Sequence, residues 1–169
     1  MRKLALIHHG LADASTGLLT PFGLAQMGRL ANLLRKVIKE GDKAIVLSAT
    51  SPEAMQSSGI LAGGLGISVE HYDILQSVWV CVRKDEHLRE TLELIESKSA
   101  DYDIIILVGN YTYVGGFPAF FCDKKLGKKL ADKARKEVIM PGEAFVIDYN
   151  DKTCQRLTRR MVSGGAFRK

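Results

Sequence analysis

Leu4-Ala5-Leu6-Ile7-His8-His9-Gly10 runs four apolar residues straight into two histidines and a glycine. A short apolar run bounded by a turn residue predicts a buried strand. Loops that leave strand ends are where α/β proteins keep their chemistry, so two imidazoles there mark a candidate site. The alternative is structural: one ring caps the strand and the other lies in solvent, since histidine is commonly only partly buried.

Composition narrows the function classes. A chain of 169 residues supports one domain, spanning 1–169, with a real core. It is 46% hydrophobic and 25% charged, an ordinary globular balance. Lys+Arg of 24 against Asp+Glu of 19 leaves a net +5, which mildly favours anionic ligands. It lacks the concentrated basic stripe of a nucleic-acid binder. The lysines between Lys124 and Lys136 read as the solvated face of a helix. Cys81, Cys122 and Cys154 are scattered, with no Cys-x-x-Cys, which predicts reduced thiols in a cytoplasmic protein and neither a disulfide frame nor a zinc site. Leu4–Ile7 is too short for a signal-peptide core and Ile104–Val108 too short to cross a bilayer, so no membrane association is expected.

Strands and helices alternate along the chain. Lys3–His8 is the first strand. Gly10–Leu19 is a loop of small and polar residues. Thr20-Pro21 is an N-cap followed by proline at the first helical position, opening a helix whose apolar face is Met27, Leu30, Leu34 and Val37 and which Gly41 ends. Lys43–Ser48 is a strand buried on both faces. Ser51-Pro52 repeats the cap, and Ile67–Tyr72 is a short edge strand. Residues 73–83, with the only tryptophan, Trp79, give no clear pattern. A helix over Glu86–Ser97, the strand Asp103–Val108, and an irregular helix through Phe117, Phe120 and Phe121 follow. Gly142–Tyr149 and Thr153–Leu157 form a hairpin about Asn150-Asp151, and the tail 163–169 is expected to be disordered. This alternation predicts an α/β fold with a mainly parallel sheet and a C-terminal hairpin, its site at the carboxyl ends of strands. Three such ends carry polar residues: His8-His9-Gly10, Ser48 to Glu53, and Gly109-Asn110.

Taken in order, those ends resemble the histidine phosphatase superfamily, the phosphoglycerate-mutase-like fold, whose short phosphohistidine-phosphatase branch is closest in size. The family opens on a strand ending Arg-His-Gly, where this chain has His8-His9-Gly10. It continues with Leu-Thr-x-x-Gly-x-x-Gln, here Leu19-Thr20-Pro21-Phe22-Gly23-Leu24-Ala25-Gln26. After the second strand comes Arg-Ala-x-Gln-Thr-Ala, here Glu53-Ala54-Met55-Gln56-Ser57-Ser58. A later strand ends Val-Gly-His, here Val108-Gly109-Asn110, and the closing hairpin begins Gly-Glu, here Gly142-Glu143. The resemblance implies a three-layer α/β/α sandwich and an enzyme that needs no cofactor or metal. It places the nucleophile at His9 and the two phosphate-gripping arginines at His8 and Glu53, both substituted. The second histidine falls at Asn110, and the proton donor near Asp73 or Gln76.

Of the catalytic core only His9 remains. Phosphoryl transfer relies on positioning and on neutralising charge at the equatorial oxygens. His8 lacks arginine's permanent charge and its fork. Glu53 reverses the sign, repelling a phosphate charge about 4 Å away by roughly 4 kcal/mol at an effective dielectric of 20. Asn110 can donate a hydrogen bond but cannot carry a proton. The leading expectation is therefore a degenerate, non-catalytic or very weak site kept for binding or interaction, with phosphate or a phosphorylated small molecule or protein bound weakly if at all. Two alternatives stay open. One is an active phosphohistidine or phosphomonoester phosphatase working through phospho-His9, with Arg29 or Arg83 supplying charge. The other is a metal triad of His8, His9 and Glu53. Glu53 is further expected to pair with whichever of His8 and His9 is protonated and to raise its pKa.

Overall fold

The computed structural model describes residues 1–76 and 84–158. Six strands form one sheet: β1 (Lys3–His8), β2 (Ala44–Ser48), β3 (Ser68–His71), β4 (Ile104–Gly109), β5 (Ala144–Asp148) and β6 (Thr153–Leu157), in the order β3-β2-β4-β1-β5-β6. The pairs β1–β4, β2–β4 and β2–β3 are parallel, whereas β5 runs antiparallel to both β1 and β6. The α/β prediction, mainly parallel with a C-terminal hairpin, holds.

Among the described residues five α-helices connect the strands: α1 (Pro21–Arg35), α2 (Pro52–Leu65), α3 (Lys84–Lys98), α4 (Tyr111–Lys125) and α5 (Lys128–Ala134). The crossovers from β1 to β2 and from β2 to β3 both move towards the β3 edge. Those from β3 to β4 and from β4 to β5 move back. Right-handed crossovers between parallel strands place α1 and α2 on one face and α3 on the other. α1 packs on α2, and α4 packs on α3 and α5. β1 and β4 lie side by side where the direction of travel reverses, which is where open α/β sheets bind ligands.

The apolar run that opened the sequence is the middle of the core. Leu4, Leu6 and Ile7 have no exposed surface, and Ile105 and Ile106 of β4 match them. Each such side chain contributes about 1.5–3 kcal/mol by leaving water. The parallel register pairs His8 with Gly109, and Ser48 with Val108 and His71, so the last residues of the four parallel strands end within one residue of each other.

Several local expectations shift. The first helix stops at Arg35, not Gly41: Val37 and Ile38 both donate to the Leu34 carbonyl, so the chain tightens and unwinds before Gly41 at φ 86°. Ser51 is the N-cap residue of α2 but makes no side-chain cap bond. α4 is continuous through Pro118. The lysine-rich region is two helices, α4 and α5, broken at Gly127. Trp79, Cys81, Arg83 and the tail 163–169 lie outside the described residues.

The loop between β1 and α1 folds on itself, with Ala12 bridged to Leu19 and Asp13 accepting from the Ser15 and Thr16 amides. It sits backbone to backbone on the first turn of α1. A Cβ at Gly23 would lie 2.1 Å from the Leu11 carbonyl oxygen, and one at Gly10 would lie 2.6 Å from that of Gly23. Gly28, in the same helix, has nothing within 4 Å of its would-be Cβ. Gly23→Ala should therefore cost about 1–3 kcal/mol or more through overpacking. Gly28→Ala should stabilise by about 0.5–1 kcal/mol through helix propensity. Urea midpoints of the two variants against wild type check the opposite signs.

Candidate functional site

Backbone hydrogen bonds carry the ladder one step past the strands. The His9 amide donates to the Gly109 carbonyl at 3.0 Å, that of Ala49 to Val108 at 3.1 Å and that of Tyr72 to Ser48 at 2.8 Å. His9 and Asn110 thus leave the sheet side by side at the reversal between β1 and β4. Asn110 is half-buried there.

The His9 ring is fixed by its own loop. Nδ1 lies 2.8 Å from the Gly10 carbonyl oxygen. A carbonyl can only accept, so Nδ1 carries the proton and the lone pair of the neutral ring is on Nε2. Nε2 lies 4.0 Å from Glu53 Oε1, with the two side chains 13% and 18% exposed. Glu53 reaches this position from the first turn of α2, under the fold of the loop at Gly17. The structure therefore brings His9 and Glu53 face to face, as three converging strand ends require.

His8 is buried and turned differently. Its Nδ1 donates to the Ile139 carbonyl at 3.1 Å, and its ring stands edge-on to His9, centroids 4.7 Å apart and planes 83° apart. Burial is the main cause that drives its pKa down from 6.5 to about 4. The Ile139 bond and Glu143 oppose the shift, and His9 adds to it. The expectation of an imidazole with a raised pKa is thus reversed for His8: loss of hydration outweighs any nearby carboxylate. Glu143 itself is held by Arg156, at 3.0 Å, and by the Met140 amide.

The two candidate donors are held in one cluster. Thr50 Oγ1 donates to Asp73 Oδ1 at 2.6 Å, and Gln76 Nε2 donates to Thr50 Oγ1. Among the described residues no hydrogen bond joins this cluster to His9. Arg29 stacks over Phe22, 5.7 Å from the ring centroid. It lines a groove of about 660 Å³ beside Leu33, Met140 and Leu157, in which none of His8, His9, Glu53 and Asn110 takes part. His8, His9 and Glu53 do not make a three-ligand metal group, nor do any His, Cys, Asp and Glu side chains among the described residues.

Residues with no role at the site assigned from sequence, together with the expected cap Thr20, hold the loop in place. The Gly10 amide donates to buried Ser57 Oγ at 3.0 Å. Gln56 accepts from the Leu19 amide at 2.7 Å. Gln26 accepts from Leu11 and donates to the Pro141 carbonyl, each at 2.8 Å. Thr20 caps α1 by accepting from the Gly23 amide and also donates to the Leu11 carbonyl, both at 3.0 Å. Gln26, Gln56 and Thr20 stood in the motifs. What marked them was their amide or hydroxyl chemistry next to a loop that needs partners.

Comparison with known proteins follows the same division. Neither protein-family models nor curated proteins give a match to the sequence. Solved structures do. A protein assigned as the phosphohistidine phosphatase SixA from Agrobacterium tumefaciens superposes with a TM-score of 0.66 at 18% identity, over 93% of this chain and 96% of its own. The protein histidine phosphatase SixA in complex with tungstate gives 0.66 at 15% identity, over 95% and 99%. A mycobacterial glucosyl-3-phosphoglycerate phosphatase with VO3 gives 0.62 at 12% identity, over 93% and 97%. The chain has the histidine-phosphatase fold, in the compact form of the SixA proteins.

The low pKa of His8 makes a prediction about stability. An unfolded histidine takes up its proton near pH 6.5, whereas folded His8 resists until about pH 4. Between those values the unfolded state binds more protons, so stability falls as pH drops through this window. The full span corresponds to about 3 kcal/mol. His8→Asn keeps a donor for Ile139 and removes the titration. Denaturant unfolding of both proteins between pH 7 and pH 4 should show the wild type losing its advantage over the variant as pH falls.

Proposed function

We propose that this chain is a histidine-phosphatase-fold protein with a degenerate active site, non-catalytic or nearly so, retained in the cytoplasm for binding or interaction. One observation carries the reading: the Nε2 of His9 faces the Glu53 carboxylate at 4.0 Å, where a transferred phosphoryl group would have to sit. Roughly 4 kcal/mol of repulsion per unit charge at that distance opposes the phosphate. Neutral His8 supplies no compensating charge. Phosphate and phosphorylated ligands therefore bind weakly at best, and among the described residues neither Asp73 nor Gln76 is hydrogen-bonded to His9.

A second reading has its own support. The Gly10 carbonyl fixes the His9 tautomer with Nε2 bare, as a nucleophilic imidazole requires. An active phosphohistidine or phosphomonoester phosphatase would form phospho-His9 at that nitrogen.

Nitrophenyl phosphate separates the two, because its leaving group departs without a donor. Wild type should turn it over no faster than His9→Ala. His8→Arg or Glu53→Arg alone should change little. The triple variant His8→Arg, Glu53→Arg, Asn110→His should gain about tenfold or more in phosphate affinity, since charge-assisted hydrogen bonds are each worth about 1.5–3 kcal/mol. Wild-type turnover that His9→Ala abolishes would establish the enzyme instead.

A further inference from the structure

We propose that the pocket around His9 receives a primary ammonium group, the side chain of a lysine on a protein partner, seated between the Glu53 carboxylate and the His9 ring. This rests on the degenerate-site reading and names what such a site would hold.

The argument starts from what the two facing groups offer. Glu53 is an acceptor through both oxygens, and neutral His9 is an acceptor at Nε2 because its other nitrogen is spent on Gly10. Two acceptors 4.0 Å apart have no hydrogen bond to make with each other. A nitrogen about 2.8 Å from each, an ordinary charge-assisted distance, subtends roughly a right angle between them. The three donors of an ammonium spread widely enough to serve both. A guanidinium is the poorer fit: its planar fork matches the two oxygens of one carboxylate and leaves the imidazole lone pair unmet. A metal ion is a poorer fit still, since among the described residues no third ligand joins the pair. Neutral His8 brings no opposing charge.

The surroundings favour a side chain delivered on an apolar arm over a free amine. Leu11 follows Gly10, and Leu18 follows Gly17, whose would-be Cβ lies 3.8 Å from Glu53 Oε2. They are 44% and 46% exposed. Lysine carries four methylenes that can lie along such a rim while the ammonium enters. The chain's net +5 repels cationic partners elsewhere, so attraction is local to this carboxylate.

The test uses the full chain at about pH 8, where imidazoles are neutral. The probes are acetyl-Leu-Lys-Leu-amide, its arginine and acetyl-lysine counterparts, and inorganic phosphate. Calorimetry gives affinity, and the His9 ring NMR signals report the place. The lysine peptide should shift those signals saturably, the arginine peptide should bind less tightly, and the acetyl-lysine peptide should not bind. Glu53→Gln should weaken the lysine peptide about tenfold or more. Glu53→Asp, which keeps the charge, should retain part of the affinity. Equal binding of lysine and acetyl-lysine peptides, indifference to Glu53→Gln, or no saturable shift at His9 overturns the proposal. Phosphate distinguishes the two levels of the argument. Tight phosphate binding at His9 removes the degenerate-site reading itself, whereas failure of both phosphate and the lysine peptide leaves that reading standing and removes this one.

Discussion

The site depends on two backbones touching. Gly10 and Gly23 let the loop after β1 lie directly on the first turn of α1, with no room for a Cβ at either position. That contact fixes the Gly10 carbonyl, which fixes the His9 ring. It also aims the loop so that Ser57, Gln56 and Gln26 can each take one of its amides. Polar backbone groups in a half-buried loop must be paired, and here α1 and α2 both supply partners. The loop thereby joins the two helices to each other and to the end of β1. The position of His9 relative to Glu53 follows from this seat and from the register of β1, β4 and β2.

The parts of the phosphatase pattern that persist are the ones this seat needs. Leu19-Thr20-Pro21-Phe22-Gly23-Leu24-Ala25-Gln26 supplies a cap, a glycine and an amide that stitch the loop down. None of those functions involves phosphate. His8, Glu53 and Asn110 supply none of these loop hydrogen bonds, while Ser57, where the family has threonine, keeps the hydroxyl that accepts from Gly10. Scaffold and chemistry are therefore separable here, which is why structural likeness over nearly the whole chain coexists with identities below one in five.

Legibility from sequence followed the same line. Strands β1, β2 and β4 were readable because their apolar runs are short, rich in β-branched residues or bounded by turn residues, and the caps at Thr20 and Ser51 located the helices. The end of α1 was not readable: Val37 continues the apolar spacing, and only the tertiary setting tightens the chain after Arg35. The meeting of His9 with Glu53 was legible as strand ends in order. The ring orientation of His8 was not, because it depends on the Ile139 carbonyl, more than a hundred residues away. The raised pKa expected of an imidazole paired with Glu53 does not apply to His8, whose pKa burial lowers, and burial is invisible until the chain is folded.

His8 also shows why such a site is stable in its present form. A phosphate cradle built from two guanidiniums concentrates like charge, and without its anion each must be hydrated or paired. Here the position beside Ile139 is buried, and its neutral imidazole is satisfied by a backbone carbonyl. Glu143, the carboxylate that acts on His8, is already committed to Arg156. A guanidinium in place of His8 would enter this buried corner with its natural counter-ion taken, at a cost of several kcal/mol unless phosphate were bound. Placing carboxylate at Glu53 and a neutral ring at His8 removes that tension from the ligand-free protein. Functional sites commonly store such strain at the expense of stability. In this chain a neutral ring at His8 and a carboxylate at Glu53 stand beside His9, and the loop and the capped helices hold them there.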